Sequence, residues 1–109
     1  NCYPYWEGTS IDYSLGHMND MFNQGVNVSQ GKRVIITETG WPSQGESLRE
    51  AHSSAENAMK YFINAQLWSS QNDIDIFYFS SFDESWKKGA EGEVGAYWGL
   101  WDKLEQLKF

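Results

Sequence analysis

Glu38 directly follows Val34-Ile35-Ile36-Thr37, and it is the first residue here that chemistry could use. The run before it does not alternate, which is how a strand buried on both faces reads. Loops converge at the carboxyl ends of strands in α/β folds, so a carboxylate there faces a site. Glu84 follows a second such run, Ile74 to Phe82, with Lys87 three residues on. Two carboxylates beside one cation can be driven apart in pKa, one staying charged while the other keeps its proton. That pairing suits glycoside hydrolysis, where a nucleophile and an acid act across a glycosidic bond. A structural ion pair is the commoner reason for a lone glutamate at a strand end.

The tryptophans point the same way. Each strand end carries an aromatic or polar cluster: Tyr5-Trp6-Glu7, Glu38-Thr39-Gly40-Trp41 and Asp83-Glu84-Ser85-Trp86-Lys87. Indole faces stack on sugar rings, so Trp6, Trp41, Trp86, Trp98 and Trp101 are candidate platforms, although a tryptophan more often packs, given the area it buries. Aromatic residues make up 17% of the 109 residues, against a mean hydropathy of -0.61. Rings on a polar background suit a carbohydrate cleft or a barrel wall, and disordered chains lack such rings.

Charge and composition exclude other classes. The net charge of -7 repels phosphate backbones and anionic lipid. No stretch approaches the ~20 apolar residues of a membrane helix. The single cysteine, Cys2, forms no internal disulfide and reads as a small core residue. With His17 and His52 it falls short of a four-ligand zinc set, so neither metal nor cofactor is expected. Asn27-Val28-Ser29 is an N-glycosylation triplet, a weak pointer to secretion.

The elements that must position these groups alternate. Residues 1–5 suit the end of a strand. Ile11, Leu15, Met18 and Phe22 recur at helical spacing after Ser10, with Gly25 as a stop. Arg33 to Glu38 is a strand closed by Gly40-Trp41-Pro42. Ser47-Leu48-Arg49-Glu50 has capping-box spacing, followed by a stripe of Leu48, Ala51, Ala55, Ala58, Met59, Phe62, Ile63 and Leu67. Ile74 to Phe82 is the last strand, then a Gly-rich loop from Lys88 to Gly99 and a closing helical piece from Leu100 to Phe109. Strand–helix alternation of this kind indicates an α/β fold with parallel strands.

The run Val34-Ile35-Ile36-Thr37-Glu38-Thr39-Gly40-Trp41-Pro42-Ser43-Gln44-Gly45 resembles the signature of glycoside hydrolase family 17, the β-1,3-glucanases and glucanosyltransferases. Tyr3-Pro4-Tyr5-Trp6-Glu7-Gly8 resembles that family's sixth-strand end, and Phe82-Asp83-Glu84-Ser85-Trp86-Lys87 its eighth. Tyr97-Trp98-Gly99-Leu100-Trp101-Asp102 is similar to the closing motif of the fungal branch. The resemblance implies a TIM (β/α)8 barrel working by a retaining double displacement. Residues 1–109 would be the C-terminal part of its single catalytic domain, the three βα units of strands six to eight. Glu38 would be the nucleophile, with Glu84 and Lys87 auxiliary, and Tyr5, Trp6, Trp41, Asp83 and Trp86 would bind substrate.

The family's acid/base comes from an Asn-Glu pair, which this sequence lacks. A retaining site needs both carboxyls ~5 Å apart, so the isolated chain is expected to be inactive. Members often carry a glutamate just before Trp-Gly-Leu, where this chain has Gly95, which leaves Glu91 and Glu93 without an implied role. The implied protein is secreted or in the cell wall, monomeric at full length, and acts on β-1,3-glucan within chains or at their ends, by hydrolysis or by glucanosyl transfer. A free-standing, non-catalytic glucan-binding protein is the alternative from another class. Against it, a barrel short of five strands would leave two unpaired edges, and a whole barrel takes ~250 residues.

Overall fold

The computed structural model describes residues 1–109 throughout. Helix α1 spans Ile11–Val28 and follows Ser10, whose backbone is extended. It buries Ser14 and Met18, with Ile11, Leu15, Met21 and Phe22 packed at the margin of the core. The expected stop at Gly25 does not occur. Gly25 lies in ordinary contact range of Val34, and the helix continues one turn to Ser29, whose hydroxyl and N–H both donate to the Val26 carbonyl.

Helix α2 spans Ala55–Asn72, and the Ser47–Glu50 start is corrected to Ser54. The Ser54 hydroxyl accepts the Asn57 N–H at 3.0 Å, satisfying one of the free donors of the first turn. Leu48 and Ala51 instead exchange backbone hydrogen bonds, 2.9 Å each way, closing a turn around Arg49 that no helix can pass through. The buried stripe also differs from the expected one. Ala58, Tyr61, Ala65 and Trp68 face the core, while Met59, Ile63 and Leu67 form an exposed apolar row. The two helices meet through Phe22 edge-on to Trp68, and through the Trp68 indole N–H, which donates to Asn19 at 3.0 Å.

Strands β1 (Ile36–Thr39) and β2 (Ile76–Tyr78) pair in parallel, Ile36 opposite Ile76 and Thr39 opposite Tyr78. Both are shorter than expected, and residues 1–5 form no strand. The Cys2 N–H still donates to the Glu38 carbonyl at 2.9 Å, so the amino-terminal segment runs beside β1. The register fits an extra residue in β1 between Ile36 and Thr39, a bulge of the kind that re-aims side chains. Ile36 and Thr39 are both buried. The sheet is not covered on both faces as the sequence suggests: Phe77 on β2 is 61% exposed, and Ile35 just before β1 is 40% exposed.

The carboxyl-terminal segment is not helical. Asp102 accepts the N–H groups of Leu104 and Gln106 at 2.8 and 3.0 Å, and this local competition with helix bonding turns the chain back. Trp101 then bridges to Leu107 and, in parallel, to Phe82.

The two candidate helix starts are separable by experiment. Ser54→Ala is expected to lower stability in urea unfolding by about 1 kcal/mol. Ser47→Ala, on the surface, is expected to stay within about 0.5 kcal/mol of the parent. The reverse order would place the cap at Ser47.

Candidate active site

Neighbouring side chains on a strand point to opposite sides, and Thr39 determines which side Glu38 takes. Thr39 is fully buried, its hydroxyl 2.7 Å from the Tyr61 hydroxyl of α2 and 3.8 Å from the Met18 sulfur of α1. Glu38 therefore projects away from the helices. It enters a cleft of about 250 Å³ lined by Tyr3, Trp6, Glu38, Phe79, Lys87, Glu91 and Trp98.

Within the cleft Glu38 and Lys87 are individually held. The Tyr3 hydroxyl donates to Glu38 Oε2 at 2.7 Å, while Oε1 has no protein donor. Lys87 pairs with Glu84 at 3.1 Å, and its ammonium sits 4.9 Å from the Phe79 ring centre. The aromatic wall is built around Trp98, which stands against Tyr3, Tyr5, Trp6 and Phe79 at centroid distances of 5.5, 5.7, 5.7 and 6.1 Å. Gly40 lets the end of β1 reach this wall, since a Cβ there would overlap the Phe79 carbonyl oxygen.

The residues expected to bind substrate divide. Trp6 lines the cleft and is 38% exposed, so its face is available to a ligand. Tyr5 and Trp41 are each 1% exposed and pack in the core beside the cleft rather than lining it. The Tyr5 hydroxyl donates to the Glu46 carbonyl at 2.5 Å, and the Trp41 indole N–H to that of His52 at 3.0 Å. Trp86 is 75% exposed and does not line the cleft. Asp83 is not brought to Glu38 either. It pairs with Lys108 at 2.6 Å and accepts the Gly99 N–H at 2.9 Å, fastening the closing segment. Asp83 and Lys108 line a larger hollow of about 550 Å³, which holds no glutamate and none of the Trp98 aromatic wall. Asn27 is exposed in the last turn of α1.

Tyr3, Phe79 and Glu91 complete the cleft, and the sequence implies a role for none of them. Tyr3 sits in the segment similar to the sixth-strand end, two residues before Tyr5. Glu91 lies upstream of the position, Gly95, where the family often carries a glutamate, so the motif gives it no role. No group of acidic, histidine or cysteine side chains is arranged to hold a metal ion. Burial pushes the Cys2 thiol above its usual pKa, keeping it protonated and unlike a nucleophile.

Burial also raises the Tyr3 phenol well above the usual range, and the hydrogen bond to Glu38 and the nearby charges of Glu38 and Glu91 push in the same direction. Tyr61 and Tyr78 are raised mainly by burial. Unfolded phenols ionise near pH 10, whereas these would keep their protons beyond it. Above about pH 10 the unfolded chain alone releases these protons, so stability should be unaffected by them below that pH and fall steadily above it. A phenolate absorbance titration should show part of the six tyrosines ionising only as the fold is lost. Six phenols all titrating near pH 10 in the folded chain would contradict the Tyr3–Glu38 geometry.

The family described as BtgE/BtgC glycoside hydrolase domain matches residues 1–99. The whole chain aligns at 32% identity with a glucan 1,3-beta-glucosidase of Schizosaccharomyces pombe, covering 36% of that protein. A family 17 β-1,3-glucanosyltransferase from Rhizomucor miehei superposes with a TM-score of 0.93 at 38% identity, covering 99% of this chain and 39% of that one. An active-site mutant of the same enzyme in complex with laminaritriose superposes equally well, with a TM-score of 0.93 at 37% identity. The chain thus spans between 36% and 39% of the length of these relatives. Its α/β units have the fold of part of a TIM-barrel enzyme, and the chain belongs to the BtgE/BtgC glycoside hydrolase domain family, within glycoside hydrolase family 17.

Proposed function

We propose that residues 1–109 supply the nucleophile side of the active site of a retaining enzyme acting on β-1,3-glucan. The observation that carries this is the placement of Glu38: a strand-end carboxylate in an aromatic cleft, with Tyr3 bound to one oxygen and the other free. The Tyr3 hydrogen bond fixes the orientation of the carboxylate. Glu38 Oε1 then attacks the anomeric carbon as the glycosidic C–O bond breaks, the departing glucan oxygen taking a proton from the acid/base carboxyl. Water or a second glucan end resolves the glycosyl-enzyme by returning a proton to that base. Lys87, held by Glu84, balances negative charge beside the reacting centre. Trp6 offers the stacking face for a glucosyl ring.

The acid/base carboxylate is assigned to residues outside this sequence, and the units present to strands six to eight of the barrel. Exposed Phe77 on the sheet, Ile35 just before it, and Met59, Ile63 and Leu67 on α2 support that assignment, because these are surfaces that neighbouring βα units cover. A secreted or cell-wall setting fits such a substrate, and no helix is long and apolar enough to cross a membrane. Glucanosyl transfer is a specific second outcome at the same site, favoured by the close superposition on the Rhizomucor miehei transferase.

In the full-length protein, Glu38→Gln is expected to cut turnover of laminarin at least about 10³-fold, because no covalent intermediate can form. Retained turnover would remove Glu38 from the nucleophile's role. The 109-residue chain alone is expected to be inactive, and turnover by it would place the acid/base within these residues. Products longer than a laminari-oligosaccharide substrate would identify transfer, and shorter products alone hydrolysis.

A further inference from the structure

Three carboxylates stand at or beside the cleft, and their partners differ. Glu38 accepts the Tyr3 hydroxyl, and Glu84 is paired with Lys87. Glu91 has neither an ion-pair partner nor a protein hydrogen-bond donor, yet it lines the same cleft as Trp6, Trp98 and Glu38. Its acceptor positions are therefore open to a ligand.

Glu91 reaches this place because of Gly95. A Cβ built on Gly95 would overlap the Lys87 carbonyl oxygen and lie 3.0 Å from both the Cβ and Oε2 of Glu91. The carboxylate thus lies directly over a glycine that has no side chain to displace it. Gly95 is buried in a short 3-10 turn, Glu93–Ala96, which sets the Glu91 loop against the turn carrying Lys87 (Ser85–Lys88).

We propose that Glu91 is a substrate-binding residue of the Glu38 cleft, accepting hydrogen bonds from the hydroxyls of a glucosyl ring seated against Trp6. Gly95 is the positioning residue that makes room for it. The assignment rests on the cleft being a glucan site, and it adds the group that reads the ring's hydroxyls. Sugar hydroxyls are donors, and a carboxylate with both oxygens unpaired accepts two of them at once. The cleft, at about 250 Å³, lies below the ~300–1,000 Å³ of drug-sized sites and suits a single ring. The influence of Glu91 on the Tyr3 phenol shows that its charge is felt at the Tyr3–Glu38 pair.

Binding of laminaripentaose to the full-length protein carrying Glu38→Gln, followed by calorimetry and tryptophan fluorescence, tests the assignment without turnover. Adding Glu91→Ala should weaken the dissociation constant roughly 10–100-fold, the loss typical of a hydrogen bond to a charged acceptor. Glu91→Gln keeps shape and one acceptor and should fall between, so it also serves if the alanine variant fails to fold. Gly95→Ala should weaken binding like Glu91→Ala, and Glu93→Gln should match the parent. Parent binding with Glu91→Ala and Glu91→Gln both within twofold of it would overturn the role of Glu91 alone. No binding by the parent would overturn the glucan site itself and this assignment with it.

Discussion

Thr39 has one place to go, and the rest of the site follows from it. Its hydroxyl is fully buried and must be paired, since an unpaired buried hydroxyl costs about 1–3 kcal/mol. Tyr61 provides the pairing from α2, with Met18 of α1 beside it. Both helices thereby grip the end of β1 at one point. Strand geometry then sends Glu38 the opposite way, toward Tyr3 and the aromatic wall. The carboxylate that does the chemistry is oriented by the residue after it.

The wall is also a product of close approach. Trp98 is nearly buried and serves as packing for Tyr3, Tyr5, Trp6 and Phe79 rather than as a platform of its own. It leaves Trp6 as the ring with an accessible face. Gly40 admits the Phe79 backbone beside β1, and Gly95 admits Glu91 and the Lys87 backbone beside the Trp98 segment. The cleft is assembled from the amino-terminal segment, the end of β1, the end of β2 and the loop after it, so no single element contains it.

That distribution explains which parts could be read from the chain alone. Glu38 was legible because a carboxylate ending an apolar run is a local pattern, and the helices were legible from their periodicity. Their edges were not. Ser47 has the capping-box spacing and Ser54 does not, yet the turn closed by Leu48 and Ala51 bars a helix start at Ser47 and leaves Ser54 to cap it. On α2, Met59, Ile63 and Leu67 outscore Ala58 and Tyr61 in hydrophobicity. Alanine, however, allows close approach, and the Tyr61 hydroxyl has a buried partner, so the less apolar face is the one turned inward. Tyr5 and Trp41 sit within the motifs as expected, but tertiary packing consumes their faces. Tyr3 and Glu91 reach Glu38 only through folding, 35 and 53 positions away in sequence, where no spacing rule operates.

The exposed apolar rows have a common logic with the cleft. Ile35, just before β1, and Phe77 on β2 are exposed, as are Met59, Ile63 and Leu67 on α2. Burial of apolar surface is worth roughly 25 cal/mol per Å², so leaving both rows in water forgoes stabilisation that further strands and helices would recover. The polar direction of Glu38 is consistent with the same arrangement. Inward-facing strand residues of a barrel fill its centre, whereas those at the carboxyl ends open on the mouth. Glu38 is the last residue but one of β1 and is only partly buried, while Ile36 two positions earlier is packed against α1. A single strand thus passes from supporting the core to presenting a nucleophile within its four residues, and the bulge between Ile36 and Thr39 makes the change of role geometrically possible.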